Sequence, residues 1–184
     1  MAIKSYEEMN ELEMDILKEI GSIGGGNAAT AMSSMLNAKV NMSLPKVVIL
    51  GFNEALDYLG DPEELVAAIF VEMSGELSGI MLLILTKEFS DEVLFRMLGK
   101  VDSDFLELEE IDSSVLMETG NIVISSYITA MASLTNVNVE LSVPQLAVNM
   151  VGGIMSAPIS LMGQHSDRIM MITGQFTIDG KALD

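Results

Sequence analysis

The stretch Asp15-Ile16-Leu17-Lys18-Glu19-Ile20-Gly21-Ser22 returns 99 residues later as Ser114-Val115-Leu116-Met117-Glu118-Thr119-Gly120-Asn121. Each copy is followed, 23 residues after its last position, by a proline, Pro45 and Pro144. Aligning 15–45 with 114–144 without gaps gives twelve identities in 31 positions, among them Leu17/Leu116, Glu19/Glu118, Gly21/Gly120, Ile23/Ile122 and Met32/Met131. A duplication that keeps a polar trio in register on an otherwise apolar segment has copied a site together with its scaffold. The expected architecture is therefore a single α/β mixed domain over 1–184 with pseudo-repeats at 5–99 and 104–184. The duplicated helix-plus-antiparallel-strand halves are expected to share one sheet, with the two long homologous helices exposed on one face.

Local patterns fill in the elements. Ser5-x-x-Glu8 fits a capping box, and apolar residues at Leu12, Ile16, Ile20 and Ile23 carry a helix to about Asn37. Glycines at 21, 24, 25 and 26 weaken that helix, which is tolerated where another backbone packs closely. Residues 39–51 read as a strand, Asp61-Pro62-Glu63-Glu64 as a helical start, 66–74 and 78–86 as paired strands, and 88–98 as a helix stopped by Gly99. The second half restarts at Asp104-x-x-Glu107 with a helix to about 135, then a strand at 137–149, a Gly/Met/Pro-rich segment, and a strand near 168–177. The chain stops soon after Phe176-Thr-Ile-Asp-Gly, so a further terminal strand or helix is expected to be short or missing.

Composition excludes whole classes of chemistry. A net charge of −18 with nine basic residues argues against nucleic acid and anionic lipid. Without cysteine there is no disulfide, thiolate metal site or cysteine nucleophile, and a single histidine, His165, leaves no relay or metal pair. His165 is expected to be a solvated loop residue. The apolar runs are interrupted by Glu72 and Glu76, or by Asn149, Gly152, Gly153 and Pro158, and the N-terminus lacks a secretory pattern. A soluble, cytoplasmic protein is expected.

On a helix, positions i, i+4 and i+7 share a face. Asp15, Glu19 and Ser22 therefore line up, as do Ser114, Glu118 and Asn121, each forming a polar ridge on the side away from the core. Ser/Asp-x-x-x-Glu-x-x-Asn followed by the distant proline resembles the motif of the CheC, CheX and FliY phosphatases of chemotaxis. Glu19-Ile-Gly-Ser-Ile-Gly-Gly-Gly-Asn-Ala-Ala-Thr-Ala31 is similar to the CheC version, and the two-copy layout covers nearly the whole chain. The resemblance implies an enzyme that removes the aspartyl phosphate from a CheY-type response regulator. Its helix would dock on the regulator, the glutamate would pair with a regulator lysine, and the asparagine would orient the attacking water. The Mg ion would belong to the regulator, and no cofactor to this chain.

One departure distinguishes the copies: the asparagine position of the first is Ser22, shorter and with one polar group instead of two. The expected working residues are Glu118 and Asn121, with Glu19 a weaker partner and Ser114, Asp15 and Ser22 lending binding contacts. The resemblance also implies CheD as a partner, with the methionine-rich 150–171 region (Met150, Met155, Met162, Met170, Met171) as the place to look. The alternative reading is non-enzymatic, a CheD-binding adaptor or flagellar motor switch component of the same fold. Gly21-x-x-Gly24-Gly25-Gly26 lacks the strand–loop–helix setting of a phosphate loop, and Asn27, off the ridge, is expected to be structural. A small-molecule enzyme would require an enclosed pocket around the trios.

Overall fold

The computed structural model describes residues 10–162 and 168–183. The first half runs α1 (Glu11–Leu36), β1 (Val40–Met42), β2 (Lys46–Gly51), α2 (Phe52–Leu59), β3 (Leu65–Gly75), β4 (Gly79–Leu85) and α3 (Lys87–Leu98). The second runs α4 (Glu110–Thr135), β5 (Val139–Leu141), β6 (Gln145–Met150), α5 (Val151–Met162), β7 (Arg168–Thr173), β8 (Phe176–Ile178) and β9 (Lys181–Leu183). β5 and β6 repeat β1 and β2 at the 99-residue spacing (40 to 139, 46 to 145). The α5 helix has 12 residues against 8 in α2, and those four extra residues move the spacing to 103, so that β3 is matched by β7 and β8 together.

The halves are joined by exchange of strands. β3 pairs with β4 of its own half and with β5 and β6 of the other, all antiparallel. β2 pairs with β7, and β1 with β8, which β9 extends. The single sheet expected from sequence is thus divided into three ladders, each built from both halves. β3 is buried on both faces: Ala67, Ile69 and Val71 enter the main core with α1, α3 and α4, while Val66 and Ala68 face α2 and α5. Alternation along a strand sends these two sets to opposite sides.

Several boundaries differ from the sequence reading, each for a local reason. The Ser5 capping box lies outside the described residues; the box that starts α1 is Asn10 with Glu13. Asp104 caps only a 3₁₀ turn over Phe105–Glu107, because Phe105 turns into the core; the long helix begins one turn later, where Asp112 bonds back to the Glu109 N–H. Asp61-Pro62-Glu63-Glu64 is a turn. The helix in that region is α2, whose Phe52, Ala55, Leu56 and Leu59 follow helical spacing. The Gly/Met/Pro-rich segment is also a helix, α5. Its Val151, Ile154 and Met155 are buried against β3 and α2, and that packing outweighs Gly152, Gly153 and Pro158. Pro45 and Pro144 split each long predicted strand in two.

Helices α1 and α4 pack backbone to backbone. A β-carbon on Gly24 would lie 2.6 Å from Tyr127 Cδ1 and 2.9 Å from its Cα. The Tyr127 hydroxyl reaches only the Met42 sulfur, at 3.6 Å, and burial pushes its pKa up to about 12. No helix among the described residues is long and apolar enough to cross a membrane. Gly24→Ala is expected to destabilise the protein by about 1–3 kcal/mol, because Tyr127 backbone cannot yield. Gly26→Ala, with no atom within 4 Å of the new methyl, is expected to stabilise it by about 0.5–1 kcal/mol. Denaturant unfolding of the two variants reads this directly; equal shifts would contradict the packing account.

Candidate functional site

Both trios stand on outward faces. Asp15, Glu19, Ser114, Glu118 and Asn121 are exposed, and Ser22 is half-buried. The opposite faces of the same helices are committed to the core through Ile20, Ala28 and Met32 on α1 and Leu116, Val123 and Ile124 on α4. Ile16 is 39% exposed, because it lies three residues before Glu19 and so on the edge of the ridge. Asn27 is exposed and so does not hold the interior together. His165 and Met162 lie where no side chain is described; Met155 is buried, Met170 and Met171 are half-buried, and Met150 is exposed.

Each ridge is seated by a glycine. Gly120 rests on Ile69 of β3, where a β-carbon would come within 2.6 Å of Ile69 Cγ1. Gly21 rests on Pro45, Val47 and Ile172. Ile69 pairs with Leu146, and Val47 with Ile172, so the two seats are the same contact viewed from the two halves. Each glycine immediately precedes the last residue of its trio. The packing therefore fixes how far Ser22 and Asn121 stand above the sheet.

The copies differ in what surrounds them. In copy two the Glu118 carboxylate has no ion-pair partner among the described residues, and Asn121 Oδ1 accepts only a long 3.4 Å bond from the Ser125 hydroxyl. The Ser114 hydroxyl donates to the Glu110 carbonyl at 2.9 Å. In copy one Lys18 Nζ lies 2.8 Å from Asp15 Oδ1, while the equivalent of Lys18 in copy two is Met117. Sequence reasoning passed over Lys18, although its i+3 spacing from Asp15 was the available signal.

The start of α4 is anchored separately. Asp112 is buried; its carboxylate accepts from the Glu109 N–H at 3.0 Å and from Lys100 Nζ at 2.8 Å. Hydrogen bonds to Asp112, and then to Glu109, hold the Lys100 ammonium above the usual lysine range. A shallow, open depression lined by Lys87, Glu88, Asp91, Phe95 and Lys181 lies along α3 and includes no residue of α1 or α4. The ridges have the character of a surface that meets another molecule. A convex helix face carrying an acid and an amide one turn apart can pair with a cation and hold a water, and it does not enclose a small substrate.

The sequence model of the CheC-like family matches residues 12–49 and 111–148, each match spanning one ridge and its following proline. The chain is 37% identical over 166 residues, 88% of its length, to the CheY-P phosphatase CheC of Bacillus subtilis (strain 168), covering 79% of that protein. It is 29% identical over 78% of its length to the flagellar motor switch phosphatase FliY of the same organism, covering 38% of that longer protein. The crystal structure of Thermotoga maritima FliY superposes with a TM-score of 0.73 at 22% identity, over 94% of this chain and 86% of that one, a likeness of fold.

Asp112→Ala is expected to cost about 2 kcal/mol, through loss of a helix cap and of the buried acceptor for Lys100. Asp15→Ala removes only an exposed pair and is expected to change stability by under about 0.5 kcal/mol. Thermal or denaturant unfolding separates the two; a large loss from Asp15→Ala would make the first ridge structural.

Proposed function

This chain belongs to the CheC-like family, and from that premise we propose that it hydrolyses the aspartyl phosphate of a CheY-type response regulator in the cytoplasm. The observation that carries the reading is the placement of Glu118 and Asn121, exposed one turn apart on the outward ridge of a helix whose other side is locked in the core.

An acyl phosphate asks little covalent help of its catalyst; positioning the in-line water supplies most of the effect. Asn121 can accept a hydrogen bond from that water through Oδ1 and donate one through Nδ2 to a phosphoryl oxygen, without adding negative charge. The water oxygen attacks phosphorus, the bond to the aspartyl oxygen breaks, and the regulator's carboxylate leaves while the water's protons pass to phosphate and solvent. Glu118 anchors the complex through a lysine of the regulator. The Mg ion that balances phosphoryl charge is assigned to the regulator, as the family resemblance implies.

Copy one is read as the weaker site. Ser22 is shorter and half-buried, and Lys18 sets a positive charge on Asp15, beside the Glu19 that would receive the regulator's lysine. That arrangement favours docking without turnover at this face, the adaptor role confined to one half. CheD, the partner that the resemblance implies, is expected to contact the exposed Met150, just before α5, and Leu161, near its end.

Asn121→Ala is expected to slow phosphate release from a phosphorylated regulator about 100-fold, with Glu118→Ala acting mainly on KM and Glu19→Ala having a small effect. Full activity of Asn121→Ala together with loss in Glu19→Ala would reverse the assignment of the copies. In the Asn121→Ala background, Ser22→Asn is expected to restore at least tenfold of the lost rate. Failure to do so would mean that Lys18, and not the missing amide, is what silences copy one.

A further inference from the structure

Pro45 and Pro144 each close a three-residue arch, Ser43-Leu44-Pro45 and Ser142-Val143-Pro144, between paired strands. The two arches are built alike. The Ser43 N–H donates to the Gln175 carbonyl at 2.9 Å, and its hydroxyl oxygen accepts from the Gln175 N–H at 3.0 Å. The Ser142 N–H donates to the Glu72 carbonyl at 2.9 Å, and its hydroxyl oxygen accepts from the Glu72 N–H at 3.0 Å. Proline fixes φ on one side of the central residue and restricts that residue to extended conformations; the serine clamps the other side.

What this rigid frame displays is apolar and bare. Leu44 is 87% exposed and Val143 82% exposed. The first arch abuts the ridge: Pro45 Cγ lies 3.1 Å from where a Gly21 β-carbon would stand, one residue from Ser22. At the other end of the ridges, seven residues before Glu19 and Glu118, Leu12 is 70% and Ile111 54% exposed. Both copies thus bound a polar centre with exposed apolar groups in the same register, although the residue types have drifted. Core packing cannot account for apolarity kept at solvated positions, whereas a contact surface can.

Resting on the phosphatase reading, we infer that the arches seat the regulator: Val143, and Leu44 in the first copy, are contact points for the regulator surface bordering its phosphorylated aspartate. The occupant follows from continuity with the ridge. The second arch stands at the repeat position of the first, which abuts its ridge at Gly21; a protein that brings an aspartyl phosphate to Asn121 would then cover it, and a side chain held on both flanks loses little entropy when covered. Val143 is a docking and specificity residue; it does not touch the reacting atoms.

Val143→Thr tests this. It keeps the β-branched shape that suits a residue before proline and changes only the surface chemistry, so an arch that serves backbone geometry alone is indifferent to it. We expect KM for the phosphorylated regulator to rise about fivefold with kcat unchanged. Titration with a receiver domain charged with beryllium fluoride is expected to show the same fivefold loss of affinity, and the melting temperature to stay within a degree or so. Unchanged KM and affinity in Val143→Thr would overturn the inference. Wild-type protein that binds the charged receiver without accelerating phosphate loss would sink the phosphatase reading alone; weaker binding by Val143→Thr would still uphold the arch. No binding by the wild type would overturn both.

Discussion

Where α1 crosses α4, the Tyr127 ring and its Cα occupy the space that a β-carbon at position 24 would need. A helix can come this close to another only by giving up a side chain, and the approach ties both long helices into one unit. Their inward faces are then committed to Ile69, Val71 and the rest of the core. The polar trios are left to the outward faces, on both copies at once. The exposure of the two ridges is a consequence of this packing as much as of their own polarity.

Strand exchange extends the same constraint to the whole chain. Because β3 takes partners from both halves, and β7 and β8 do the same for the first half, neither half has a complete sheet alone. The halves are expected to fold as one cooperative unit, which suits a site that works by position. Under the proposed reading the amide orients water and gains nothing from mobility, since misplacement by an ångström can cost about 100-fold. Gly120 on Ile69 and Asp112 on Lys100 hold α4 along its length while the ridge itself carries no structural duty.

Duplication followed by divergence explains the asymmetry. Both helices serve the scaffold, and under the proposed reading turnover needs only the Asn121 amide, so Ser22 and Lys18 in copy one are compatible with the fold. The net charge of −18 offers no long-range attraction to an acidic partner, so under the proposed reading recognition rests on short-range pairing at Glu118 and on apolar contact around it.

Much of the fold was legible in residues 15–45 and 114–144, because a gapless repeat transmits register, and register on a helix decides which residues share a face. The trios were legible for that reason, and the Glu118/Asn121 face is where the spacing put it. Less legible were α2 and α5: α2 is only eight residues long, and in α5 Gly152, Gly153 and Pro158 mask the spacing, so that burial against β3 is what stabilises both. The Asp104 box misled because a local cap cannot reveal that Phe105 has a core to enter. The sequence alone determined the duplication, the two ridges and the difference between Ser22 and Asn121. Tertiary structure decided which strands pair across the halves and that the serine arches display Leu44 and Val143. Those contacts join residues far apart in the chain or depend on side-chain conformation, and no local pattern encodes either.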